Sequence, residues 1–190
     1  MATTITINNV RFSFCKLFQP DIRPGQDPKY STTVLVPKSN TAAKAAIDAA
    51  IEEATQNGTE KKWNGQRPPI VVTSVHDGDG ARPSDGMPYG AECKGHWVFT
   101  ASSKERPFVV DANVQPILDA TQVYSGMWGN VNVSFFPYAN NGKKGIGVWL
   151  NGVQKVCDGE PLVNRVTAED AFQAVAAPTV DPITGLPVQQ

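Results

Sequence analysis

The sequence predicts a mainly β chain, a five-stranded barrel with one inserted α-helix and long loops. Three observations predict it. Short runs rich in Val, Ile, Thr and Phe recur along the chain, separated by turn-forming residues. Gly (16) and Pro (15) are plentiful beside 16 aromatics (8 Phe, 4 Tyr, 4 Trp). A single Ala-rich segment carries helical periodicity. With 190 residues the chain suits one domain with an appendage, long enough to bury a core without disulfide or metal staples.

Taken in order, Thr4 to Phe14 reads as the first strand, partly alternating. Tyr30 to Val36 is the second, closed by Pro37, which has no N–H for a ladder. Ser39-Asn40-Thr41 offers a helix cap, and Ala42 to Thr55 carries Ile47 and Ile51 at i, i+4 spacing; the helix is expected to end before Asn57-Gly58. Asn57 to Pro69 and His76 to Gly95 read as long loops. His96 to Ala101 is a third strand, with Pro107 to Asp111 expected to pair with it. Met127 to Phe136 places Val131, Val133 and Phe135 on one face. Asn140-Asn141-Gly142 then makes a tight turn, and Ile146, Val148 and Leu150 return inward, with Trp149 facing the opposite way. Such strands with one inserted helix fit the small barrel of an OB-fold.

The domain is expected over residues 1–165, with a flexible, mildly acidic tail over 166–190. The net charge of -1 argues at first against nucleic acid. Divided at residue 150, it becomes 15 basic against 13 acidic residues in the body (+2), and 2 against 5 in the remainder (-3). The body is thus mildly basic. No run of about 18 apolar residues predicts a membrane span. The opening segment lacks the basic and apolar regions of a secretory leader, so none is expected. Cys15, Cys93 and Cys157, odd in number and far apart, fit a reducing cytoplasm rather than a disulfide framework.

Basic residues interleaved with aromatics are the most informative pattern. Single-stranded nucleic acid offers phosphates and unstacked base faces, so a binder needs cations along a groove and aromatic platforms on its wall. Lys29, Lys62, Lys104, Arg106, Lys143 and Lys144 are the candidate phosphate contacts. Tyr30, Trp63, Phe108, Tyr138 and Trp149 are the candidate stacking platforms, whereas Trp97, Phe99, Trp128 and Phe135 are assigned to the core. Most aromatics in a domain of this size are core and most lysines solvated surface, so the constellation counts for more than any single residue.

Other chemistry finds less support. Cys93 and His96, with His76, supply three ligands where structural zinc usually has four. Asp77-Gly78-Asp79-Gly80 lacks the other acidic positions of a calcium loop. No phosphate-binding loop or nucleophile motif occurs, and Glu52-Glu53 diverge on a helix. Neither metal nor cofactor nor catalytic residues are expected. Two alternatives remain: a non-catalytic virion or host-interaction β-domain without DNA affinity, and a metal-dependent nucleic-acid enzyme.

Several stretches resemble bacteriophage single-stranded DNA-binding proteins, long catalogued as a domain of unknown function. They are Ile7 to Phe14, Leu17 to Pro20, Pro28 to Lys38, Asp77 to Asp79, Ser102 to Asp111, Val123 to Met127, Asn140 to Val156 and Asp158 to Leu162. Their order and spacing carry the likeness over about residues 5–162. The resemblance implies an OB-fold, no catalysis, and sequence-independent, cooperative coating of single-stranded DNA during phage replication or recombination, in the cytoplasm of the infected bacterium. It also implies self-association on DNA, and an acidic tail that recruits phage or host replication proteins and competes for the DNA groove. This tail departs from the pattern: its acids are sparse and it ends Val188-Gln189-Gln190.

Overall fold

A computed structural model describes residues 2–162 and Ile183. The expected tail over 166–190 lies, apart from Ile183, outside the described residues. The strands are β1 (Thr3–Asp21), β2 (Lys29–Pro37), β3 (Val72–Thr73), β4 (His76–Asp77), β5 (His96–Ser103), β6 (Phe108–Val110), β7 (Trp128–Asn140) and β8 (Lys143–Cys157), with helix α1 (Thr41–Lys61) between β2 and β3. Five of them close a barrel in the order β1-β2-β5-β8-β7 and back to β1. Every neighbouring pair is antiparallel except β5 and β8, which meet in parallel at the single bridge between Ser102 and Trp149.

Alternation explains the core. Val131, Val133 and Phe135 on β7 and Ile146, Val148 and Leu150 on β8 all point inward and are buried, as the sequence predicts. Phe12, Val34, Val36 and Phe99 complete the interior, and the Phe99 and Phe135 rings meet at 6.4 Å. Trp97 and Trp128 are only partly buried at its margin. The β7–β8 turn is as expected, with Asn141 and Gly142 both at positive φ (48° and 77°), the geometry of a two-residue hairpin.

Helix α1 starts at the expected cap: the Asn40 Oδ1 accepts from the Ala43 N–H at 3.2 Å. Its small apolar stripe, Ala43, Ile47, Ala50 and Ala54, packs on β1 and β7. The helix does not stop at Asn57-Gly58 but runs to Lys61. Gly58 is required by packing: a Cβ there would lie 2.6 Å from Cβ of Pro137 and 3.0 Å from the Trp63 ring. The apparent helix breaker is therefore a close-approach residue.

Two further expectations are corrected. β1 extends seven residues past Phe14, through irregularities where Asn9 and Phe14 take positive φ. The segment at Phe108–Val110 does not pair with β5. It lies parallel to β8, Phe108 opposite Gly152. Its ladder partner lies far along the chain, while locally the Ile117 N–H donates to the Val109 carbonyl at 2.9 Å and Val110 bridges Pro116; short-range pattern reading favours a hairpin with the preceding strand instead.

Candidate nucleic-acid interface

The outer face of the β7–β8 hairpin builds the site. Residues of β8 that point outward are Gly145, Gly147, Trp149 and, after an irregularity near Asn151, Gly152. Each glycine carries an aromatic ring from a neighbouring strand. Tyr138 is opposite Gly145 and Phe136 opposite Gly147, while Phe108 of β6 is opposite Gly152. A Cβ added at those glycines would lie 2.7, 2.4 and 2.0 Å from the respective side chains, so the rings rest directly on bare backbone. Cross-strand aromatic–glycine pairing of this kind stabilises a strand that glycine alone would weaken. Trp149 stacks on Phe136, centroids 4.1 Å apart and planes 23° from parallel. The result is a row of rings, Tyr138, Phe136, Trp149 and Phe108, spanning roughly 20 Å along β8 at about 3.3 Å per residue. Trp149 is 50% and Phe108 55% exposed.

An open groove of about 810 Å³ follows this row. Phe136, Tyr138 and Trp149 form its aromatic wall; Thr100, Ser102, Ser103 and Asn151 give polar contacts, and Lys29 and Lys104 bring charge. Asn151 is fixed by donating to Asn132 Oδ1 and Ser134 Oγ, each at 2.8 Å. Lys104 is ion-paired to Asp27, whose carboxyl is held below its usual range by the Lys104 hydrogen bond. Among the described residues, Lys29, Lys62, Arg106, Lys143 and Lys144 form no salt bridge, though Lys29 lies in the field of Asp27, whereas most other cations of the body are paired. Of these five, Lys29 lines the groove with the rings, the arrangement that phosphate and base recognition needs.

The groove thus gathers four of the eleven sequence candidates: Lys29, Lys104, Tyr138 and Trp149. Phe108 continues the aromatic row beyond the groove. Lys143 and Lys144 open β8 at the hairpin tip. Arg106 lies over the Phe18 ring at 5.5 Å. Tyr30 does not reach the groove: it shares the alternation of the buried Thr32 and Val34, opposite to Lys29 and Ser31. Lys62 is exposed at the end of α1, away from the groove lining.

Trp63 is a correction. Expected as a stacking platform, it is 1% exposed, and its Nε1–H donates to the Tyr138 carbonyl at 3.0 Å. Both Lys62 and Trp63 N–H return to the Gly58 carbonyl, and Asn64 and Gly65 follow at positive φ, so the helix end turns the indole into the core. Trp63 instead supports the back of the strand that presents Tyr138. Phe136 is the reverse case, a groove residue outside the eleven candidates. Its signal was the glycine at alternate positions across the hairpin.

Of the possible metal residues, Asp77, Asp79 and His96 are otherwise engaged. Lys38 Nζ bridges Asp77 and Asp79 at 2.6 Å each, which lowers both carboxyls, and the His96 Nδ1 meets the Lys94 carbonyl at 2.8 Å. Cys93 is buried, which raises its thiol pKa. Among the described residues no three of His, Cys, Asp or Glu gather in a cation-sized cluster.

A closed five-stranded barrel with, among the described residues, one α-helix, and with an aromatic, cationic groove on its outer face, defines the class: an OB-type barrel of the kind that takes up single-stranded nucleic acid. Residues 3–181 match the family model described as Enterobacter phage Enc34, ssDNA-binding protein, and the chain belongs to that family of phage proteins. The single-stranded DNA-binding protein from bacteriophage Enc34, solved in complex with ssDNA, is 30% identical, with a TM-score of 0.71 over 84% of this chain and 89% of that one. Protein p50 of Acyrthosiphon pisum secondary endosymbiont phage 1 is 34% identical over 161 residues, 82% of this chain and 84% of that protein. The bacteriophage T7 single-stranded DNA-binding protein gp2.5 shares the fold, with a TM-score of 0.58 at 17% identity, covering 93% of this chain and all of that one.

Proposed function

We propose that this protein binds single-stranded DNA without sequence preference, in the groove along the outer face of β8, and coats it during phage DNA replication and recombination in the host cytoplasm. The observation that carries the reading is the row of glycine-seated rings along a groove whose wall also holds Lys29 and Lys104. Tyr138, Phe136, Trp149 and Phe108 stack bases. Every base has a π-face, so stacking is indifferent to sequence. Lys29, Lys104, Arg106, Lys143 and Lys144 neutralise phosphates. Lys62 is a peripheral contact at most, and Tyr30 and Trp63 serve packing. No catalytic step is assigned. Self-association on the strand and recruitment of replication proteins through residues 166–190 belong to the same proposal.

The test is a titration of fluorescently labelled oligo-dT over a range of salt. Binding at low salt is expected, with log Kobs falling against log salt by about 0.7 per phosphate neutralised. Absence of binding at low salt refutes the proposal and favours a protein-facing β-domain.

A further inference from the structure

Two loops meet at one end of the groove. Residues 22–28 join β1 to β2 and are exposed throughout, with Gly25 at a φ of 74°. Their base is pinned where Asp21 takes Lys16 at 2.7 Å and Arg23 at 2.9 Å. Their far end is held by the ion pair from Asp27 to Lys104, a residue of the loop after β5. A second hollow of about 170 Å³ is lined by Asp21, Arg23, Gln26, Asp27, Lys29, Ser31, Thr100 and Ser102. Lys29, Thr100 and Ser102 also line the main groove, so the two hollows form one path with the Asp27–Lys104 pair at their junction.

Of the two lysines on the groove wall, only Lys104 forms a salt bridge with a carboxylate among the described residues; Lys29 feels the same Asp27 through space, as a weaker influence on its carboxyl. A carboxylate offers an ammonium group the same anionic oxygens as a phosphate diester does. Both members of the pair are about two-thirds exposed. Water and salt therefore screen it, and exchange of one anion for another is cheap.

We propose that Asp27 is a built-in competitor of the DNA phosphate: its carboxylate occupies Lys104 in the free protein, and a bound strand displaces it. This rests on the single-stranded DNA reading of the groove and goes beyond it, because it makes an acidic residue a determinant of affinity. Displacement also frees the 22–28 loop from its tether at the β5 side, so strand entry and loop release are one event.

The test is a double-mutant cycle on the full chain, read by oligo-dT titration at low salt with melting curves as a folding control. D27N keeps the shape and removes the charge. It should tighten binding about two- to fivefold, the range expected of an exposed ion pair. K104A should weaken binding, and D27N added to K104A should then tighten it clearly less than D27N does in the wild type, the remainder being the field of Asp27 at Lys29. An unchanged affinity in D27N overturns the proposal. So does equal tightening in both backgrounds, which would mean a general field effect of the lost charge. Wild-type binding with either of those results leaves the groove assignment standing; a wild-type chain that binds no oligo-dT removes both.

Discussion

Replacing Trp149 by alanine separates the groove from the rest of the molecule. The indole is half exposed and stacked on Phe136 at 4.1 Å. A tryptophan side chain of roughly 250 Å², half of it already in water, keeps about 125 Å² covered, so truncation costs at most about 3 kcal/mol of folding stability at 25 cal/mol per Å². Its stacking on a base contributes about 1–3 kcal/mol, a loss of about 5- to 150-fold in affinity. Phe136 remains as a neighbouring platform, which favours the lower half of that range. Trp149→Phe keeps a ring over Phe136 and should recover most of the affinity. Fluorescence anisotropy with labelled oligo-dT reads binding, and a melt in the same buffer shows that the variant is folded. A folded W149A that binds within twofold of the wild type refutes the aromatic row as the base-contacting surface.

Trp63→Phe should do the opposite. It leaves a gap in a packed site and strips the Tyr138 carbonyl of its donor, costing about 2–4 kcal/mol. Thermal melting should fall by several degrees while oligo-dT affinity of the folded protein stays within a few-fold; a large affinity loss without destabilisation would return Trp63 to the binding surface. Lys143→Ala combined with Lys144→Ala should reduce the steepness of the log–log salt dependence by about 1.4, two phosphates at about 0.7 each. An unchanged slope would mean that the hairpin tip does not touch the strand.

What could be read from the sequence was what neighbouring residues decide. The β7–β8 hairpin is fixed by alternation and by a two-residue turn at Asn141-Gly142, and both operate within a few residues. The Asn40 cap is local in the same way. Failures arose where a distant partner overrode the local pattern. Gly58 looks like a helix stop until Pro137 and Trp63 are packed against it. Lys61-Lys62-Trp63 looks like a nucleic-acid motif until the helix end folds the indole inward onto Tyr138. The partner of β6 is β8, reached in parallel from about 40 residues away in sequence, a distance at which no turn residue signals pairing. Site residues followed the same division. Tyr138 and Trp149 stood on the one hairpin whose faces could be assigned. Phe136 stood there too, and was separable from core only by noticing that its cross-strand partner is a glycine.

The barrel is laced unevenly. β7 and β8 pair along almost their whole length, whereas among the described residues the β-ladder between β5 and β8 is the single bridge of Ser102 and Trp149. Both of those residues line the groove. In the proposed binding mode the cylinder's thinnest seam is the bed of the strand, and an occupant reaching from the Thr100–Ser103 side to the Trp149 side spans that seam as a suture would. Anything that binds only the closed form also adds to its stability. In that mode a loaded strand is cargo and, at the same time, the missing stitch of the fold that carries it.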